Sequence, residues 1–142
     1  MAKEMIQIDL TRVDGDFHMV AVNEQGNEVH LDASPDIGGT GKGMRPMQML
    51  LASLAGCSTI DIVNILKKQK QVITGIKVKV RGERDEKSVP AVYTKIELHF
   101  ILFGKLDLDK VERAVALSVE KYCSVGAMLV NVKISHSCEI QN

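Results

Sequence analysis

The stretch from Pro46 to Gln69, PMQMLLASLAGCSTIDIVNILKKQ, constrains this chain more than any other. It holds no proline after Pro46, and Pro46 itself suits the first turn of a helix, where its missing N–H costs nothing. Leu50, Leu51, Leu54, Ala55, Ile62, Val63, Ile65 and Leu66 cover most of the circumference of such a helix. A helix that is apolar almost all round is buried on nearly all sides. One chain of 142 residues can hardly surround it. A second copy is therefore expected to cover part of it, most simply across a two-fold axis.

The segments around this helix read as strands and turns. Residues 5–12 alternate in the strand manner, residues 13–16 (VDGD) signal a turn, and residues 17–22 (FHMVAV) read as a second strand. Residues 24–27 turn the chain and residues 28–33 return as a third strand, which completes an antiparallel meander. Beyond the helix, Ile76, Val78 and Val80 alternate with Lys77, Lys79 and Arg81, and Ile96, Leu98 and Phe100 alternate with Lys95, Glu97 and His99. With the polar turn-rich GERDEKSVP between them, these form a long hairpin with one wet face. Asp107 is placed to cap a second helix whose apolar positions are Leu108, Val111, Val115, Val119 and Tyr122. Cys123 or Ser124 opens a further short helical turn, and VNVKISHSCEI ends the chain as a strand. Three strands, helix, two strands, helix and strand make an α+β fold in a single domain spanning residues 1–142.

Composition narrows the function. The net charge is zero, tryptophan is absent and aromatics are 4%. Neither a field that attracts a polyanion nor a surface for stacking bases is present, so nucleic acid is excluded as a partner. The first residues, MAKEMIQIDL, do not read as a signal peptide. The longest apolar region, residues 44–66, is broken by Arg45, Asp61 and Asn64 and reads as too polar to span a bilayer. A cytoplasmic location without membrane contact follows as the expectation, and there thiols stay reduced unless they do redox work. The three cysteines are an odd number, which excludes a complete disulfide framework.

Several familiar motifs fail on inspection. GGTGKG lies where a phosphate loop would need glycine at Asp36 and a hydroxyl at Gly43, so the run reads as a flexible or tightly turned connector. His18, His30, His99 and His136 are scattered over strands, no cysteine spacing suits zinc, and no G-x-S-x-G turn marks a serine nucleophile. Neither a metal nor a cofactor is expected.

The cysteines remain. Cys57 lies on the long helix among the small residues Ala55, Gly56 and Ser58, which let another element approach closely. Cys123 lies where the second helix ends and a new turn begins, and N–H groups at such a start stabilise a thiolate. Cys57 is several turns into its helix, so a cation from elsewhere is needed to favour its thiolate. Asp61 shares its face and would disfavour it. Gln48 projects from the opposite side of the helix, so Gln48 and Cys57 can share a site only across a dimer interface. On these residues alone, packing cysteines and a redox pair both stand.

RPMQMLLASLAGCSTIDI, followed by a hairpin and then LSVEKYCSVGAML, resembles the OsmC/Ohr family of thiol-dependent hydroperoxide reductases, and more narrowly its OsmC-like (YhfA-type) branch. The resemblance runs from TRVDGDF to the last strand. It implies the OsmC fold, with antiparallel sheets around a long central helix in an intertwined homodimer. It implies that Cys57 is the peroxidatic cysteine and Cys123 the resolving one. Cys57 thiolate would attack a peroxide, the sulfenic acid would condense with Cys123 to a disulfide, and an external dithiol would reduce it. The family's activating arginine corresponds to Arg12, whose permanent charge suits a thiolate. Family members hold that arginine with an acid near the start of the long helix. Gln48 stands there and accepts a hydrogen bond without supplying charge.

The leading expectation is thus a cofactor-free enzyme that reduces organic hydroperoxides in oxidative-stress defence. An apolar substrate pocket would be lined by Met44, Met47 and Leu51. Cys138 matches no motif and reads as structural. A non-catalytic redox sensor or small-ligand-binding protein on the same fold is the alternative, and a structural dimer with inert cysteines is the third.

Overall fold

The computed structural model describes residues 4–142. The reading of the extreme N-terminus as no signal peptide therefore falls partly on residues outside those described. The chain divides into two compact units, Met1–Leu50 and Leu51–Asn142.

In the N-terminal unit, β1 (Asp9–Asp14), β2 (His18–Val22) and β3 (Glu28–Leu31) form an antiparallel meander in sequence order. Arg12 stands opposite Met19, and the ladder bulges between Arg12 and Asp14 before the chain turns at Gly15. The strand expected over residues 5–12 thus begins later, at Asp9.

The glycine-rich connector after β3 is tightly turned, and a buried carboxylate organises it. Asp32, 1% exposed, accepts hydrogen bonds from the N–H groups of Ala33, Thr40 and Lys42 and from the Thr40 hydroxyl, at 2.8–3.1 Å. Burial acts to raise its pKa, and these donors outweigh it, lowering the value to about 2. The loop folds back so closely that a Cβ on Gly39 would overlap the Ala33 carbonyl, and one on Gly43 would lie 2.5 Å from the His30 carbonyl carbon. Those two glycines serve close backbone approach. After them Met44 bridges Leu31: its N–H donates to the His30 carbonyl at 3.2 Å and its carbonyl accepts from Asp32 N–H at 3.0 Å.

Helix α1 (Pro46–Lys68) begins in this unit and continues in the next. Its buried side chains are Leu54, Ser58, Ile62 and Leu66, one stripe at successive turns. Within one chain the helix is therefore not buried on nearly all sides: Ile60 is 65% exposed. By length and composition alone, α1 is long and apolar enough to cross a membrane, a test that the core helix of a soluble protein also passes.

The C-terminal unit carries a second three-stranded sheet in the order β4 (Gly75–Arg84), β5 (Tyr93–Phe103), β6 (Lys133–Gln141). β4 and β5 form the expected hairpin, with Val78 opposite Phe100. β6 runs parallel to β5, with Leu98 beside His136. This sheet is mixed, which corrects the expectation of antiparallel sheets throughout. The cause is the crossover: α2 (Leu108–Leu117), a π-helical turn (Ser118–Tyr122) and α3 (Ser124–Met128) carry the chain back to the start of β5 before β6 begins.

Ile96, Leu98, Phe100 and Leu102 of β5, with Val111, Ala114 and Val115 of α2, are essentially inaccessible. Asp107 caps α2, accepting from the N–H groups of Asp109 and Lys110. Of the predicted apolar stripe, Val111 and Val115 are buried, while Leu108 and Tyr122 are about half exposed. The wider π turn takes Tyr122 off the α-helical stripe.

Candidate active site

The C-terminal unit brings the Cys57 and Cys123 thiols near each other, though not to disulfide distance, and both are free. Cys57 is half-buried on α1. Cys123 is 4% exposed, at the junction between the π turn and α3.

Local structure explains how Cys123 arrives there. Its N–H donates to the Ser118 carbonyl at 2.8 Å, five residues back, which closes the π turn. Its own backbone then becomes extended, with φ −70° and ψ 108°, so that it caps α3. As a cap, its sulfur accepts the Gly126 N–H at 3.3 Å. Gly126 packs close by: a Cβ there would make ordinary contact, 3.6 Å, with Cys123 Sγ and with Leu54 of α1.

The side opposite Gly126 belongs to α1. The Ser58 hydroxyl donates to Cys123 Sγ at 3.5 Å. Ser118 clamps the same turn of helix, donating to the Ser58 carbonyl at 2.9 Å and lying 3.2 Å from Asp61 Oδ2. Ser58 and Ser118 are both fully buried. Burial pushes the Cys123 thiol above its ordinary value; the Ser58 and Gly126 donors act in the opposite direction, and Cys57 adds a further upward push. Burial thus disfavours the Cys123 thiolate, while Ser58 and Gly126 are placed as donors to that anion.

The other residues singled out from the sequence occupy defined places. Leu51, half-buried on α1, packs against Gly82 of β4, where a Cβ would lie 3.0 Å from its Cδ2. In the N-terminal unit, Arg12 is exposed on β1. Gln48 makes half of a capping box, its Oε1 accepting the Arg45 N–H at 3.0 Å three residues back. Met44 is 51% exposed in the bridge beside Leu31, and Met47 is half-buried in the first turn of α1. Asp61 faces Ser118, a partner not foreseen for it. Cys138 lies half-buried on β6, and burial and Glu112 push its thiol up.

Sequence reasoning passed over Ser58 and Ser118. For Ser58 a signal existed: it occupies the i+4 position between Leu54 and Ile62, and a polar residue on a core stripe must find a partner. Ser118 carried none, because its role depends on a non-α turn.

Among the described residues no cluster of histidine, cysteine or carboxylate side chains is arranged to hold a metal ion.

A family profile described as OsmC-like protein matches residues 39–137. Protein YhfA of Escherichia coli K12 is 48% identical over 101 residues, covering 70% of this chain and 75% of YhfA. A hypothetical protein of Aquifex aeolicus VF5 superposes with a TM-score of 0.79 at 34% identity, covering 99% of this chain and 100% of its own. The organic hydroperoxide resistance protein OsmC of Legionella pneumophila superposes with a TM-score of 0.72 at 19% identity, covering 98% and 99% of the two chains, a likeness of fold.

Proposed function

Because this chain belongs to the OsmC/Ohr family and is closely related to E. coli YhfA, we propose that it is a thiol-dependent peroxidase that reduces organic hydroperoxides through Cys57 and Cys123. The observation that carries the reading is the nearness of two free thiols supplied by separate elements, α1 and the turn before α3. The Legionella protein, an organic hydroperoxide resistance protein, shares the fold and supports the same direction.

Cys57 is the more accessible sulfur and takes the attacking role. Its thiolate displaces an alkoxide from the hydroperoxide, the alkoxide takes a proton, and Cys57 becomes a sulfenic acid. Cys123 loses its proton and attacks that sulfur, forming the disulfide and releasing water. An external dithiol returns both to thiols and is itself oxidised to a disulfide. No cofactor is required. Arg12 is assigned the stabilisation of the Cys57 thiolate and the orientation of the peroxide. Gln48 is assigned the holding of Arg12; its carbonyl oxygen has a second lone pair beyond the one used by Arg45. Met44, Met47 and Leu51 are assigned to an apolar pocket for the alkyl group. The working form is a homodimer of single-domain chains in the cytoplasm, in which the second copy covers the apolar residues of α1 that one chain leaves exposed, such as Ile60 and Val63.

A non-catalytic redox sensor or ligand-binding protein is the second reading, favoured by the neutral Gln48 where the family carries an acid. The test is intact-mass spectrometry of reduced protein after an equivalent of cumene hydroperoxide, with peptide mapping, followed by turnover with a dithiol. Loss of the two thiol hydrogens mapped to Cys57 and Cys123, with repeated turnover, is the expected result. A single stoichiometric oxidation without turnover selects the sensor. Unchanged mass with both thiols free overturns the redox reading.

A further inference from the structure

Ser58 has no assigned task, yet its geometry is unusual for its place. A serine or threonine inside a helix readily donates to the carbonyl one turn back, as the neighbouring Thr59 does to Ala55 at 2.8 Å. Ser58, fully buried one position away, directs its single proton to the Cys123 sulfur at 3.5 Å instead. Sulfur in a neutral thiol is a weak acceptor, so this donor gains most when the sulfur carries charge. The Gly126 N–H, at 3.3 Å, converges on the same atom.

Resting on the reading of Cys57 and Cys123 as a redox pair, we propose that Ser58 is a catalytic hydrogen-bond donor to Cys123, making Cys123 the sulfur that leaves when an external thiol opens the disulfide. The direction of attack follows from access. Cys123 is 4% exposed, with Ser58 and Gly126 of its own chain against its sulfur, so a second copy can only bury it further. Cys57 is half-buried. The incoming thiolate bonds to Cys57 sulfur, the Cys57–Cys123 bond breaks, and the electron pair departs on Cys123 as a thiolate. The second thiol of the dithiol, as its thiolate, then attacks the reductant's sulfur in the mixed disulfide. That closes the reductant's own disulfide and releases Cys57 as a thiolate.

A thiolate leaving into a buried site meets a desolvation cost, and burial does push the Cys123 thiol upward. Ser58 and Gly126 oppose that push at the moment the charge appears. Rates of thiol–disulfide exchange rise as the leaving thiol becomes more acidic, so the donor accelerates opening. The same donor favours the Cys123 thiolate when it attacks the Cys57 sulfenic acid. Ser118 holds the Ser58 carbonyl and not the sulfur, which makes it the structural control.

The test starts from protein oxidised with diamide, which forms the disulfide without any peroxide step. Oxidised wild type is mixed briefly with 2-mercaptoethanol, quenched in acid and mapped. The mixed disulfide is expected on Cys57; its appearance on Cys123 overturns the proposal while leaving the peroxidase reading intact. Ser58→Ala is expected to slow disulfide opening about three- to tenfold, in line with the loss of one donor to a developing thiolate. In the Cys57→Ser background, Ser58→Ala is also expected to move the pH midpoint for Cys123 alkylation upward, and Ser118→Ala to leave it in place. An unchanged rate and midpoint in Ser58→Ala, or equal shifts in both serine variants, overturns the role of Ser58. Failure of diamide to form the disulfide at all overturns the pairing itself, a result distinct from failure of hydroperoxide alone to form it.

Discussion

The Ser118 hydroxyl donates to the Ser58 carbonyl at 2.9 Å, joining two fully buried residues 60 positions apart. That bond ties the π turn before Cys123 to the turn of α1 that follows Cys57. Replacing Ser118 with alanine removes it and leaves the carbonyl without this partner. A loss of ~1–3 kcal/mol is expected from such a buried deletion. Urea denaturation should show a lower midpoint at unchanged slope. A midpoint equal to that of the wild type would show that the clamp contributes nothing to stability.

Two cysteine substitutions separate the proposed roles. Cys57→Ser is expected to abolish hydroperoxide turnover. Cys123→Ser is expected to permit one oxidation of Cys57, detectable as a sulfenic acid with a dimedone probe, without a disulfide. Rapid turnover by the Cys57→Ser protein would sink the mechanism.

Asp32 gives the glycine-rich loop a pH dependence of definite sign. Its folded value, about 2, lies below the ordinary carboxylate value of 3.8 because four donors face the ionised form. A depressed acid contributes stability that is complete above its unfolded value and disappears as pH falls through the folded one. Hydrogen exchange at the Thr40 and Lys42 amides should therefore remain protected at neutral pH and lose protection progressively between pH 4 and pH 2. Asp32→Asn should already be unprotected at neutral pH, since an amide presents donors or only one acceptor oxygen to the same four groups.

Ile60 tests the assembly. It is 65% exposed in one chain, on the apolar helix α1. If a second copy covers it, Ile60→Asp buries a charge in an apolar contact and should shift the protein from dimer to monomer in analytical ultracentrifugation. A wild-type monomer, or a variant that dimerises as well as its parent, contradicts the proposed assembly.

Much of the secondary structure is visible in residue pattern. The meander, the helix at Pro46, the Asp107 cap and the hairpin strands each rest on local periodicity or a capping residue, and each is present. The parallel pairing of β5 with β6 was not visible, because strand direction within a sheet depends on where the intervening helices return the chain. Neither was the π turn: a single widened hydrogen bond at Cys123 leaves the apolar spacing almost unchanged but rotates Tyr122 outward.

By itself the sequence determined that Cys57 lies within a long apolar helix, that Cys123 opens a short one, and that the chain carries the motifs of one family, since these follow from order, spacing and residue type. Only the tertiary structure decided what surrounds the Cys123 sulfur. The Gly126 N–H is the local donor expected where a helix starts, whereas the Ser58 hydroxyl and the Ser118 clamp come from segments far apart along the chain or from a non-α turn. Hydrogen bonds of this kind depend on ångström-scale placement of packed elements, which no one-dimensional pattern encodes.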